Sequence, residues 1–248
     1  MTRGGIWMLA VAMTALAATP SSAQVQSSVV PAFSIWDAEL GMPVTDIPIM
    51  DVVDIACGTN GGPPSVTLRS FAEFKTCQPE PSGLREVYFE NDDEMDYIAK
   101  AEEVEYKFLQ GGTSIYAHPV IISVLVDDGG IIRGIRIVTD ERADLGARRV
   151  AVTLARNLKG RFGSWKQTCQ DIPLQPGENP VGNQFEHELC TAENAELGQR
   201  MRLEASYLRK KGQDAFNTDT QQINAGYFQS QTRLEVVEMP YEPSAPAS

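Results

Sequence analysis

The clearest hydrophobic pattern in the chain is a pair of β-branched runs near its centre. Residues 120–126 and 131–138 are rich in valine and isoleucine, and the sequence DDGG at 127–130 separates them. Asp-Gly sequences favour tight turns, so two such runs on either side are typical of a β-hairpin. The pattern therefore predicts two antiparallel strands joined by a short turn.

A helical period follows the hairpin. Over residues 142–162 the apolar side chains recur so that they share one arc at 100° per residue, and Gly163 follows as a glycine that can end a helix. The members of this arc are Ala147, Val150, Ala151, Leu154, Leu158 and Phe162. We therefore expect one helix that packs its apolar face on a sheet.

Shorter patterns predict the remaining elements. Further strands are predicted at 46–56, 84–90, 104–108, 165–172, 185–190, 201–208 and 233–237. Further helices are predicted at 70–76, 92–101 and 214–228. Because strands and helices do not alternate regularly, the sequence favours an α+β fold with antiparallel sheets. We expect one domain over residues 46–238, or two subdomains at 46–163 and 164–238.

Both ends of the chain are predicted to lie outside this domain. An apolar run at 6–18 and small residues up to Ala23 are typical of a cleaved signal peptide (residues 1–23), and the run is shorter than the ~20 residues that cross a bilayer. We therefore expect export to the periplasm or beyond, with no transmembrane span after cleavage. Residues 24–45 predict an extended arm, and the Pro- and Ser-rich residues 239–248 predict a disordered tail.

Four cysteines lie in the exported part of the chain. Pairing Cys57 with Cys77 and Cys169 with Cys190 closes short loops, and the entropy of loop closure favours these pairs by ~1–1.5 kcal/mol each over crossed pairings. The chain contains no Cys-x-x-Cys spacing, which is typical of redox and zinc sites. We therefore predict two structural disulfides.

Composition and motifs exclude several functions. The chain has 248 residues and a net charge of −12, whereas binding to nucleic acid depends largely on basic groups. It contains no phosphate-binding glycine motif and no His-Glu-x-x-His, so we expect no nucleotide cofactor and no metal centre. No Gly-x-Ser-x-Gly is present either, and we assign no catalytic residue.

The two histidines are weak candidates for acid–base chemistry. His118 precedes a proline on a predicted strand, which favours a structural role. His187 lies between Glu186 and Glu188, but neighbours on a strand point to the opposite face. We retain His187 as an acid–base candidate, with an ordinary surface position as the simpler interpretation.

The charges are distributed unevenly. Residues 86–105 carry nine acidic side chains and one lysine (net −8), whereas residues 133–166 carry nine basic and three acidic side chains (net +6). Four of these basic residues share one arc of the predicted helix, away from its apolar face. They are Arg148, Arg149, Arg156 and Lys159. The arc could bind an anionic partner, or it could be a solvated face neutralised by the acidic segment.

These patterns favour a non-catalytic envelope protein. We expect it to bind another macromolecule, a protein or a membrane surface, through a charged face or an extended terminus. The first alternative is a hydrolase or isomerase, which would need a pocket holding His187 or His118 with a buried carboxylic acid. The second alternative is a module that binds a small ligand.

Overall fold

The computed structural model describes residues 33–91, 113–217, 221–224 and 226–244. The predicted signal peptide, the helix predicted at 92–101 and the strand predicted at 104–108 lie outside these residues. So do the first part of the predicted arm and the end of the predicted tail.

Most of the described chain forms one antiparallel sheet. Its strands are β1 (Val52–Cys57), β2 (Arg85–Asn91), β3 (Thr113–Ile115), β4 (His118–Val126), β5 (Ile132–Thr139), β6 (Lys166–Asp171), β7 (Glu186–Asn194), β8 (Gln199–Leu208) and β11 (Gln229–Glu238). The order is β1-β2-β4-β5-β11-β8-β7-β6, and β3 pairs with the end of β4. Strands from both predicted subdomains therefore pair in the same sheet, where β5 meets β11.

The described helices are short. Helix α1 (Leu145–Val150) and helix α2 (Leu154–Arg161) are separated by a 3-10 turn at Ala151–Thr153. Further single 3-10 segments cover Ile35–Asp37, Val44–Asp46, Ile49–Asp51 and Phe71–Thr76. No helix in the described ranges is long and apolar enough to cross a membrane. The fold is thus mostly β, and the α+β prediction is confirmed only in its antiparallel sheet and its disulfides.

The helix predicted over 142–162 is interrupted because side-chain hydroxyl groups donate hydrogen bonds to its backbone carbonyl groups. The Thr232 hydroxyl of β11 donates to the Ala151 carbonyl at 2.9 Å, and the Thr153 hydroxyl donates to the Val150 carbonyl at 2.7 Å. Hydroxyl groups that bond to helical carbonyls compete with the regular backbone pattern. The segment therefore turns within the predicted helix and follows the surface of the sheet.

Two other predictions were wrong. The segment predicted as a helix at 214–228 contains two short paired strands, β9 (Phe216–Asn217) and β10 (Gln222–Ile223). Its Asn, Thr and Gly residues are poor helix formers, and the Asn224 amide donates to the Asp214 carbonyl at 3.0 Å across the pair. The strand predicted from residue 46 begins only at Val52, because a proline precedes each of two 3-10 turns before it.

Alternation along the strands gives the sheet two faces. One face, here called the helical face, packs against α1, α2 and the segment from Phe33 to Val44. This segment makes up nearly all of the described part of the predicted arm. Its buried side chains include Val87, Phe89, Ile122, Val124, Ile137, Leu203, Leu234 and Val236. The opposite face, here called the polar face, contains buried charged residues. Arg136 lies directly opposite Glu235 and Ser123 in the register, which places all three on that face.

Both predicted disulfides are confirmed. Cys57 and Cys77 are bonded and buried, and they join the end of β1 to the end of the 3-10 segment Phe71–Thr76. Cys169 and Cys190 are bonded between directly opposite positions of β6 and β7. The first disulfide closes the loop that leads to the polar face, and the second holds two adjacent strands of the sheet.

Candidate functional site

A network of charged side chains is buried on the polar face. Arg136 of β5 is fully buried at its centre, where its Nη1 lies 2.7 Å from Glu80 Oε1 and 2.8 Å from Glu86 Oε2. It also binds Glu235 of β11, which in turn pairs with Arg233 at 2.9 Å. Three carboxylates thus surround two guanidinium groups.

The pKa values within this network reflect a competition between burial and pairing. Burial would raise the pKa of Glu80, but its hydrogen bonds with Arg136 and the Arg136 charge outweigh that effect and lower it. Burial would lower the pKa of Arg136, yet the surrounding carboxylates raise it. For Arg233 burial prevails, and its pKa lies below the ordinary value despite Glu235. Arg233 is therefore the less compensated of the two cations.

We expect the protein to lose stability as the pH falls below about 4.5, the ordinary pKa of glutamate. Because the pKa of Glu80 is lower in the folded than in the unfolded state, its stabilising effect is present above the unfolded value and disappears as the pH falls towards the folded one. Urea denaturation from pH 7 to pH 3 measures this loss. Glu80→Gln should weaken the dependence of the free energy of unfolding on pH. An unchanged dependence would contradict the role given to Glu80.

Glycines allow the loop at residues 58–62, here called the glycine loop, to lie directly on the network. A Cβ atom added to Gly58 would lie 2.2 Å from Glu86 Cδ, and one added to Gly61, whose φ is +81°, would lie 2.8 Å from Arg233 Nη1. The Gly61 N–H donates to Glu86 at 3.0 Å. Arg233 donates to the Asn60 carbonyl at 2.7 Å and to the Asn60 side chain at 2.6 Å. The loop is thus fixed to both β2 and β11.

The predicted C-terminal tail contributes to the same cover. Its described part places Tyr241 against Leu84, Leu125 and Val237. Ser244 contacts the network through its hydroxyl, 3.2 Å from Glu80 Oε2, and its N–H donates to Glu235. Residues 240–244 and the glycine loop therefore enclose the charges from two sides.

A cavity of about 450 Å³ opens beside the network, and we call it the cleft. One wall is the start of β11, with Gln229, Gln231 and Arg233, and the facing walls are residues 59–63 and 139–142. Two of the residues that line the cleft each have one buried polar atom without a hydrogen-bond partner among the described residues, namely Arg233 Nε and Gln229 Oε1. Buried polar groups are costly to leave unpaired, so these two atoms lower the stability of the fold beside the cleft.

Charged groups of both signs line the cleft. Asp140 is buried and bound by Arg142 at 2.6 Å, whereas the side chain of Arg142 is half exposed and Lys210 is exposed. Glu141 is the other carboxylate that lines the cavity. Three basic and two acidic groups therefore line the cleft; the pair of Arg142 with Asp140 engages one of each, and Arg233 is paired with Glu235.

The two histidines lie away from the cleft. His187 Nε2 is 3.0 Å from Glu204 Oε1, and Arg202 donates to the same carboxylate at 2.7 Å. Burial opposes ionisation of Glu204, but the hydrogen bonds from His187 and Arg202 outweigh it and lower its pKa. His118 is buried 3.3 Å from the Thr153 hydroxyl, and burial lowers its pKa. The pairing of His187 with an acid meets one condition of the hydrolase alternative, but the pair does not line the cleft.

The structure divides the predicted basic face into two pairs. Arg148 packs over the Phe228 ring and donates to the Phe228 carbonyl at 2.8 Å. Lys159 lies 2.6 Å from Glu188. Arg149 and Arg156, by contrast, are exposed. Two of the four residues thus stabilise the fold, and the other two point to solvent.

One group of potential metal ligands is explained by a disulfide. Cys169, Glu188 and Cys190 bring their ligand atoms within 4.8 Å of one another. The two sulfur atoms are bonded to each other, and Glu188 binds Lys159. A disulfide sulfur is not a thiolate, so this group cannot act as a thiolate metal site in the oxidised protein.

The cleft was not predicted from sequence. Its signals are the glycine-rich run at 58–62 after a strand and the polar residues at alternate positions of β11. Alternation predicts polar residues on one face but does not reveal that a loop and the C-terminal segment will cover that face. Comparison of the chain with protein-family models, curated proteins and solved structures found no match.

Proposed function

We propose that this is an exported, non-catalytic envelope protein that binds another macromolecule through the exposed part of its basic helical surface. The observation that carries this proposal is the exposure of Arg149 and Arg156 while their neighbours Arg148 and Lys159 are engaged within the fold. The two exposed arginines lie on α1 and α2, on either side of the 3-10 turn at Ala151–Thr153.

Apolar side chains accompany these arginines. Val150, next to Arg149, is 47% exposed. Arg148 donates to the carbonyl groups of Gly226 and Phe228, and Tyr227, which lies between these two residues in sequence, is 57% exposed. Arginine and aromatic residues are enriched at protein–protein interfaces, where the apolar area is buried and the guanidinium groups bind carboxylates. This combination favours an acidic protein surface as the partner.

Site-specific photo-crosslinking in the producing cells tests the proposal. A photoreactive side chain at Val150 should form a discrete crosslinked species, whereas one at Met50, which is 83% exposed elsewhere, should not. Arg149→Glu with Arg156→Glu should abolish the crosslink, because charge reversal repels an acidic partner. Substitution of both residues by lysine should retain it.

The outcomes separate binding from folding. Neither substituted residue is buried, so the melting temperature of the charge-reversed protein should stay within ~2 °C of the original. A crosslink that survives charge reversal, or one that forms equally from Met50, would contradict the proposal. Crosslinking to lipid in place of protein would instead identify a membrane surface as the partner.

A further inference from the structure

We propose that the second disulfide is the oxidised form of a metal site, in which the thiolates of Cys169 and Cys190 and the carboxylate of Glu188 bind Zn²⁺ once the disulfide is reduced. The ligand atoms of these three residues lie within 4.8 Å of one another. A disulfide sulfur is a poor metal ligand, whereas thiolates are among the ligands that zinc prefers. The same two cysteines therefore hold either a covalent bond or a metal ion. This inference does not depend on the partner proposed above.

The strand register brings four donor side chains together on one face of β6 and β7. Cys169 lies directly opposite Cys190, and two positions further along β6 Asp171 lies directly opposite Glu188. The N–H of Ile172 donates across to β7 at 2.7 Å, which makes position 172 a hydrogen-bonded one. By the alternation of antiparallel strands, positions 169 and 171 belong to non-hydrogen-bonded pairs, whose Cα atoms are only about 4.5 Å apart. These are the positions at which opposite side chains approach most closely.

The distances suit a tetrahedral ion after small movements. Zinc–sulfur bonds of about 2.3 Å place the two sulfur atoms of a tetrahedral site about 3.8 Å apart, so each sulfur moves by about 1 Å as the S–S bond opens. The backbone pairing of β6 with β7 does not depend on the disulfide and keeps both cysteines opposite each other. Glu188 supplies the third donor. We assign the fourth position to Asp171, which shares the face.

The charges around the disulfide favour a cation. Burial and then the neighbouring carboxylates Glu188 and Asp171 raise the pKa of Glu186, so these three acidic groups lie close enough to repel one another. Lys159 and Arg156 are the cations that act on Glu186. Three carboxylates thus outnumber two basic groups even in the oxidised protein. Reduction and ionisation of the cysteines add two further negative charges, which a divalent ion offsets.

Lys159 competes with the metal ion for Glu188. Its Nζ lies 2.6 Å from the Glu188 carboxylate in the oxidised protein. The lysine side chain is 33% exposed, so it can turn into solvent and release the carboxylate without leaving a buried charge unpaired. The ion pair therefore keeps Glu188 engaged while the disulfide is closed.

A dithiol is the reductant that opens the site. Its thiolate attacks the sulfur of Cys169, which is exposed, whereas Cys190 is only 1% exposed. The S–S bond breaks, and Cys190 leaves as a thiolate with the electron pair of that bond. The second thiol of the reductant then displaces Cys169 from the mixed disulfide. The protein disulfide gains two electrons, and the dithiol becomes a disulfide. Zn²⁺ binds the thiolates, and their protons pass to solvent.

Cobalt titration of the full chain tests the proposal. Brief treatment with dithiothreitol should open the second disulfide and leave the first, which joins two buried cysteines, intact. Co²⁺ should then produce a thiolate-to-cobalt charge-transfer absorption that saturates at one ion per chain, and Zn²⁺ should abolish it by displacing Co²⁺. The oxidised protein should show no such absorption. Its absence from the reduced protein, or its presence in the oxidised one, would overturn the proposal.

A serine variant shows which cysteines bind the ion. Cys169→Ser with Cys190→Ser should show no charge-transfer absorption after the same treatment. This variant keeps the test decisive if dithiothreitol also opens the first disulfide, because only Cys57 and Cys77 then remain as thiols. An absorption that persists in the serine variant would place the metal elsewhere and contradict the proposal.

Carboxylate and lysine variants then measure the contribution of the remaining groups. Glu188→Gln should weaken Co²⁺ binding by the reduced protein at least tenfold, and Asp171→Asn should weaken it less. Lys159→Gln should strengthen binding several-fold, because Glu188 loses its competing cation. Glu193→Gln is the matched control, since Glu193 lies on the opposite face of β7, is 64% exposed and should not affect binding. An affinity that Glu188→Gln leaves unchanged would refute the assignment of Glu188 as a ligand.

Discussion

Replacing Arg136 by methionine should destabilise the protein by about 3–5 kcal/mol, a large part of the about 5–15 kcal/mol that stabilises a typical natural domain. The substitution roughly preserves the side chain's length but leaves Glu80, Glu86 and Glu235 around an apolar group. Three buried carboxylates then repel one another without a central cation. Urea denaturation at pH 7 measures the cost.

Arg133 offers a matched control on the same strand. It pairs with Asp127 and Glu238, but its side chain is 28% exposed, and partly exposed ion pairs contribute little. Arg133→Met should therefore cost no more than about 1 kcal/mol. The deficit of Arg136→Met should also shrink towards pH 4, where carboxylates take up protons. If both variants cost the same, the charged network is not a main determinant of stability.

Removal of the first disulfide should produce the second large effect. Cys57→Ala with Cys77→Ala should cost about 3 kcal/mol from the added freedom of the unfolded chain. A further contribution of about 1 kcal/mol is expected because both sulfur atoms are buried near Phe71 and Phe74. The same change should loosen the glycine loop beside the cleft. Urea denaturation measures the loss of stability, and hydrogen exchange of the backbone N–H groups at 58–62 measures the loosening of the loop.

The second disulfide provides the comparison. Cys169→Ala with Cys190→Ala opens a loop of nearly the same length, with a sequence separation of 21 against 20. Cys169 is exposed, and the backbone pairing of β6 with β7 remains. This variant should cost less and should retain the cleft. A larger loss here than at Cys57 and Cys77 would contradict the role given to the first disulfide.

The strands were the most predictable part of the fold. The hairpin of β4 and β5 follows from two β-branched runs around DDGG, because those residues favour extended backbone and a tight turn. The local disulfides followed from spacing alone. Both features depend on residues that are close in sequence, and for this reason the sequence could reveal them.

Features that depend on distant residues were not predictable. Thr232 interrupts the helical segment from β11, some eighty positions away. Glu86 belongs to the acidic segment, and it is buried against Arg136 of the basic segment on a neighbouring part of the sheet. Polar residues at alternate positions indicate a second face, but only the folded loop and C-terminal segment determine that this face is covered.

Strand β11 comes last along the chain but lies in the middle of the sheet, between β5 and β8. Arg136 and Glu235, which meet across this junction, are 99 positions apart. Until β11 has emerged from synthesis, the strands on its two sides form two separate arrays, β1-β2-β4-β5 and β8-β7-β6. Strands β5 and β8 then each have an unpaired edge, to which β11 later binds. Such distant pairing slows folding. For a chain that is exported before it folds, as we propose, this topology delays completion of the sheet until β11 has been delivered.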